Sequence, residues 1–389
     1  MTGLAEIFRR YGPAYRAKYG SSMLPSHRRA MADIERCRTR PLGGHVYLCE
    51  KCDKYVYSYH SCQNRHCPQC GHEAAQRWLA RQQQLRLPVP YFMVTFTLPE
   101  ELRRLARSHQ KTIYNILFRS SAAALQQLAR DPRFVGGQIG MVGVLQTWAR
   151  DMSYHPHVHY LAPGGGVAAD GQTWLPGRQD FLVHVRPLSK LFRGKFRAAL
   201  EKTDWYEQVP ESVWHKEWVV HCQAVGSGEA ALKYLAPYIF RIALSNRRIV
   251  KVENDEVTFW YQDSKTKKRR YLTLPAEEFI CRFLQHTLPK GFVKVRYYGL
   301  FSPSYRPLLD QLRLWLPGPP LPVAQETAPA ARSVPQCRCP TCGQPMRHIA
   351  RLEPQRCRPP PTRASASPPN PPTSTGPWPR AQGQLFPVA

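Results

Sequence analysis

Acidic residues are scarce in this chain. Only 27 Asp and Glu stand against 55 Lys and Arg, which leaves a net charge of +28 over 389 residues. A polyanion, nucleic acid first, is therefore the expected partner, because a basic surface gains affinity by releasing counterions from phosphates. Long apolar runs are also missing. No stretch approaches the roughly 18 consecutive apolar residues of a membrane span, and the opening "MTGLAEIFRRYGPAYRAKYG" lacks the apolar core of a signal peptide. No long basic amphipathic helix supports binding to acidic lipid. The expectation is a cytoplasmic protein with no membrane partner. Internal repeats are absent too, yet 43% of the residues are hydrophobic, enough for at least one sizeable core in two or three domains.

Cysteine is present and clustered. Of twelve, six fall between Cys37 and Cys70 and four between Cys337 and Cys357; in a reducing compartment this reads as metal sites rather than disulfides. "CEKC" and "CPQC" supply two CxxC knuckles fourteen residues apart, and Cys49, Cys52, Cys67 and Cys70 are expected to close one tetrahedral Zn2+ site. A second site is assigned to Cys37, His45, Cys62 and His66, chosen from a set that also offers His60 and His72. Closed four-ligand sites leave no position for substrate, so this unit, residues 1–90, is expected to grip DNA. The tail fragment "CRCPTCGQPMRHIARLEPQRC" reads as half of another ribbon through Cys339 and Cys342, completed by Cys337, His348 or Cys357. Cys222 and Cys281 stand alone, as core thiols do.

From Tyr91 the pattern changes. "YFMVTFTLP" reads as a buried strand ended by Pro99, and a long helical stretch follows it. "QIGMVGVLQTWARDMSYHPHVHYLAPGGG" reads as two strands joined by the turn "ARDMSY", paired antiparallel. Beyond these come a strand in "HKEWVVHCQAV", a helix in "GSGEAALKYLAPYIFRIAL" with Ser227 as its cap, and a hairpin turning at Asn254–Asp255. A helix in "AEEFICRFLQHTL" and a strand in "GFVKVRYYGL" complete a unit spanning 91–316. Residues 317–389 turn to Pro, Ser, Thr, Ala and Arg and read as a disordered tail, apart from the partial zinc ribbon at its cysteines.

Chemistry concentrates in "HPHVH". On a strand, residues 155, 157 and 159 share a face, and Pro156 favours the later pair, so His157 and His159 are the proposed ligands of a divalent ion. The bland alternative is a half-exposed strand whose polar face happens to be histidine. A metallo-hydrolase would add an acidic ligand close behind, where this chain has Tyr160, Leu161 and Ala162. In a basic protein the pair points instead to an ion touching a scissile phosphate. Gln146, from the neighbouring strand, is the candidate third ligand. Tyr234 and Tyr238 lie four apart on the "KYLAPYIFR" helix, on one face, as candidate nucleophiles able to form a phosphotyrosine.

The ordered set "CRTRPLGGHVYLCEKC", "SCQNRHCPQC", "VPYFMVTFTLP", "HPHVHYLAPGGG", "WVVHCQAV", "KYLAPYIFRIALSNRRI" and "LPKGFVKVRYYGL" resembles bacterial rolling-circle insertion-sequence transposases of the HUH, two-tyrosine type, from about residue 25 to about residue 310. The resemblance implies an α+β protein: a small zinc-binding domain followed by an HUH endonuclease fold, a central antiparallel sheet flanked by helices. It implies that His157 and His159 hold a divalent cation, Mg2+ or Mn2+, and that Tyr234 and Tyr238 are the nucleophile pair. Single-stranded DNA at element ends and target DNA are then the partners, nicked and joined through a 5′-phosphotyrosine without a nucleotide cofactor. Two positions depart from the family: Gln146 stands where His is common, and Pro237 where a basic residue is. Glutamine can still coordinate through its carbonyl oxygen, whereas a proline inside a helix is expected to kink it and re-aim Tyr238, which favours Tyr234. The alternative is a zinc-dependent DNA-binding protein derived from such an enzyme and no longer catalytic.

Overall fold

The computed structural model describes residues 3–239, 244–263, 266–316 and 337–355. Two helices open it, α1 (Leu4–Tyr19) and α2 (Pro25–Arg36), followed by the hairpin β1 (Gly44–Cys49) and β2 (Lys54–Tyr59) and by α3 (His72–Leu85). Next come β3 (Tyr91–Thr97), α4 (Leu102–Ser108), α5 (Gln110–Ala129), β4 (Met141–Trp148) and β5 (Tyr154–Pro163). A short ribbon, β6 (Gly165–Val167) and β7 (Trp174–Pro176), leads to α6 (Val185–Leu200), α7 (Ser212–His215), β8 (Val220–Ala224) and α8 (Glu229–Ile239). The rest comprises β9 (Ile249–Glu253), β10 (Glu256–Gln262), β11 (Arg269–Pro275), α9 (Ala276–Gln285), β12 (Val295–Tyr298), α10 (Arg306–Trp315) and β13 (Arg347–Leu352). Among the described residues no helix is long and apolar enough to cross a membrane.

The fold is α+β, built on a five-stranded antiparallel sheet in the order β12-β4-β5-β3-β8. Its central strand is the histidine strand. Val158, Tyr160 and Ala162 of β5 enter a buried core with Phe96 of β3, Phe118 of α5 and the α6 stripe Leu188, Phe192, Phe196 and Leu200, whose spacing of four lays them along one helix face. The alternate residues of β5, His157, His159 and Leu161, face the other side, where Leu161 packs with Tyr91, Val142, Ala231 and Leu232 under α3 and α8. Strand alternation thus separates core from site.

Besides the β6–β7 ribbon, two three-stranded sheets are present among the described residues. The order β11-β10-β9 packs with α1 and α9 around Phe8, Ile34, Phe259, Phe279 and Phe283, a core that also takes in Cys37, Cys67 and Trp148. Its turn at Asn254 and Asp255 has φ of +49° and +58°, the left-handed pair that a two-residue hairpin requires. The third sheet, β13-β1-β2, joins the N-terminal hairpin to the cysteine segment of the tail, so residues 337–354 fold with the preceding chain. Residues 317–336 and 356–389, also assigned to that tail, and Cys357 within it, lie outside the described residues.

One local expectation changes, at the start of α8. Helix α8 is capped by Gly228 rather than Ser227: Gly228 has φ of +75°, and its carbonyl accepts the first helical bond from the Leu232 N–H. The helix also continues through Pro237 to Ile239. The glycines after β5 serve backbone packing, for a Cβ on Gly166 would sit 2.9 Å from the Gln138 carbonyl oxygen.

Candidate active site and cysteine clusters

Pairing on both flanks of β5 assembles the site. His157 lies opposite Gln146 on β4 and Thr97 on β3, while His159 lies opposite Val144 and Thr95. The His157 Nδ1 N–H donates to the His155 carbonyl at 2.7 Å, leaving Nε2 as the lone-pair nitrogen. His159 Nδ1 is 2.8 Å from Thr95 Oγ1, and its buried Nε2 has no hydrogen-bond partner among the described residues. Buried Gln146 Nε2 is likewise without a partner among the described residues. The two imidazole rings are 4.8 Å apart, centroid to centroid. Burial lowers the His157 pKa to about 4 and that of His159 well below the ordinary value, so both are neutral at physiological pH, the state that binds a metal. Buried polar atoms left unsatisfied are costly, and a divalent cation would engage the histidine lone pairs here. The residues fit the ion.

His155 is set apart. Arg103 Nη2 donates to its Nδ1 at 3.0 Å, and burial with the neighbouring His157 and Arg103 holds its pKa near 3. Tyr234 on α8 stands at right angles to His159, ring centroids 6.3 Å apart, and is 45% exposed. Its phenol is both near the histidines and open to a polymer. Tyr238 follows on the same helix, but its side chain lies outside the described residues.

The cysteines group differently from the spacing-based assignment. Among the described residues two sets of four sulfurs converge within 4.8 Å: Cys37, Cys62, Cys67 and Cys70, and Cys49, Cys52, Cys339 and Cys342. Cys49 and Cys52 are therefore not partners of Cys67 and Cys70. They sit at the turn of the β1–β2 hairpin, whereas Cys37 and Cys62 flank its base, a separation of about 20 Å for six extended residues. The histidines drop out of the second assignment. His66 is buried with Nδ1 at 3.0 Å from Asn64 Oδ1 and Nε2 accepting the Leu288 N–H, and His45 Nδ1 lies 3.1 Å from His348 Nε2. Neither Cys337 nor His348 joins Cys339 and Cys342. Cys222 and Cys281 are half-buried against the cores.

Residues 7–98 match the family described as "Transposase zinc-binding domain", and residues 140–307 match that described as "Putative transposase". A "Putative transposase" of Sinorhizobium fredii is 39% identical over 323 residues, covering 78% of this chain and 81% of that protein. The "Transposase for insertion sequence element IS801" of Pseudomonas savastanoi pv. phaseolicola is 28% identical over 341 residues, 81% of this chain and 82% of that one. The chain belongs to this family of insertion-sequence transposases. No solved structure matches it.

As a DNA transposase with a zinc-binding domain, it carries its histidines, Gln146 and Tyr234 inside one matched stretch and its first cysteine cluster inside the other. Thr95 and Arg103 were missed in the sequence. Both lie outside "HPHVH", and only the register of β3 and the placement of α4 bring them to it. β8 sets His221 opposite Thr95, exposed, two strands from His159.

Proposed function

We propose that this transposase nicks one strand of DNA at element ends and passes it to target DNA through a 5′-phosphotyrosine. Tyr234 is the nucleophile, and His157, His159 and Gln146 hold a divalent cation, Mg2+ or Mn2+. The observation that carries this reading is His159: one ring nitrogen bonded to Thr95, the other buried without a partner among the described residues, and the ring facing Tyr234. When bound, such a cation polarises a phosphoryl oxygen and favours the phenolate of a neighbouring tyrosine. Tyr234 Oη bonds to phosphorus, the bond from phosphorus to the 3′ oxygen breaks, and the net proton passes from phenol to that oxygen. The covalent ester keeps the bond energy for rejoining, and attack by a 3′ hydroxyl on it restores Tyr234. Single-stranded DNA suits the half-exposed phenol, and Tyr238, one turn further on, would serve the second strand transfer.

We further assign the zinc of the N-terminal domain to Cys37, Cys62, Cys67 and Cys70, a set of four thiols between the end of α2 and the start of α3. Cytoplasm, where thiols stay reduced, suits this site. The deciding experiment incubates labelled single-stranded element-end oligonucleotides with Mn2+ and scores protein-bound DNA. Tyr234→Phe is expected to abolish covalent capture, while Tyr238→Phe retains capture and loses strand transfer. Undiminished capture by Tyr234→Phe would sink the assignment.

A further inference from the structure

Strand β13 lies antiparallel on β1, with Leu48 opposite Arg347 and Gly44 opposite Leu352. That pairing brings the Cys49–Cys52 turn of the N-terminal hairpin beside the Cys339–Cys342 turn that leads into β13; Cys49 and Cys342 are 293 positions apart in the chain. We propose that Cys49, Cys52, Cys339 and Cys342 form a second structural zinc site, a ribbon assembled from two distant segments. The matched zinc-binding stretch, residues 7–98, contains only the first of these knuckles.

The sulfur geometry fits. All four atoms lie within 4.8 Å of one another, and Cys49 Sγ and Cys342 Sγ are 3.6 Å apart. Four thiolates at ~2.3 Å from one tetrahedral ion are spaced about 3.8 Å. A disulfide would bring two of them to ~2.05 Å.

Both turns are folded to aim their sulfurs. In the later one the Cys339 N–H donates to the Gln344 carbonyl at 2.8 Å, the Gly343 N–H donates to the Cys339 carbonyl at 2.9 Å, and Gly343 takes φ of +72°. In the earlier one Asp53 holds the matching place, immediately after the second cysteine, with φ of +48°. Each turn therefore bends through a left-handed residue just past its CxxC.

The surrounding core is too small to hold the sheet unaided. Its buried residues are Tyr47, Cys49, Cys339 and Met346, half of them the cysteines themselves. Small scaffolds of this kind need a staple, and metal binding then contributes directly to folding. The ion fastens residues 337–354 to the hairpin.

This inference is independent of the nicking reaction, and metal content tests it on the full chain. Cys339→Ser/Cys342→Ser is expected to lose one zinc ion per chain while keeping the ion at Cys37, Cys62, Cys67 and Cys70, and Cys49→Ser/Cys52→Ser to lose the same single ion. Unchanged zinc in the first double variant overturns the site. Should the variants fail to fold, timed thiol alkylation of the unaltered chain decides: the four cysteines become reactive together as a chelator is added. Free reaction of Cys339 and Cys342 while Cys49 and Cys52 stay protected overturns it.

Discussion

The smallest unit of this site is one hydrogen bond, between Thr95 and His159. It engages Nδ1 and leaves Nε2 for the proposed cation, which under that proposal makes Thr95 a positioning residue. Valine has nearly the same shape and no hydroxyl. Thr95→Val is expected to weaken Mn2+ binding by about 10–100-fold, the range for lost outer-shell partners of metal histidines. Titration calorimetry reads that change, and a thermal melt close to that of the unaltered protein would show that the effect is not collapse. Unchanged Mn2+ affinity would remove Thr95 from the site. Its role was illegible in the sequence because a lone threonine in "YFMVTFTLP" carries no signal until β3 is registered against β5.

At the scale of elements, α8 decides where Tyr234, the proposed nucleophile, stands. Leu235, next to Tyr234, is fully buried with Val144 and Ile239, and Val144 is the residue opposite His159. Seating of the helix on β4 therefore sets the distance from phenol to histidine. Leu235→Ala should cost about 2–5 kcal/mol, the usual range for a buried leucine, and should slow covalent capture as the helix loosens. Melting and capture rates measured together separate the two effects; a lower melting temperature with unaltered capture would mean that other contacts hold Tyr234. Helix and strands were largely legible here. The periodicity, "HPHVH" and the Asn-Asp turn gave each element, and antiparallel pairing put Gln146 beside His157 as expected. The cap was not legible, because Ser227 and Gly228 both suit a helix start and only the backbone at Gly228 chooses between them.

For the whole molecule, two neutral histidines outside the proposed metal site, buried His286 and half-buried His27, make the fold acid-sensitive. His286, at the end of α9, reaches Thr147 Oγ1 at 3.3 Å and the Met152 carbonyl at 3.1 Å, joining that helix to the β4–β5 hairpin. Burial lowers its pKa from 6.5 to about 4, and that of His27 likewise to about 4. The unfolded chain takes up these protons from about pH 6.5 downward, and the folded chain resists until about pH 4. Their contribution to stability is therefore full above about pH 6.5 and is lost as pH falls through that window. Denaturant melts across this range should show the decline, and His286→Gln should flatten it. An equal slope in the variant would exclude His286 as a contributor.

By itself the sequence determined the chemistry available: a basic chain, a histidine pair on alternating strand positions, tyrosines one helical turn apart, and CxxC knuckles. These rest on local periodicity and composition, which fold identity does not alter. Tertiary structure decided the partnerships. Proximity in sequence joined Cys49 and Cys52 to Cys67 and Cys70, but the rigid β1–β2 hairpin carries its turn away from its base, where Cys37 and Cys62 meet the later knuckle. The turn meets Cys339 and Cys342 instead, because β13 pairs with β1. Which atoms converge on one point depends on strand register and helix seating, and those are set by contacts between residues far apart in the chain.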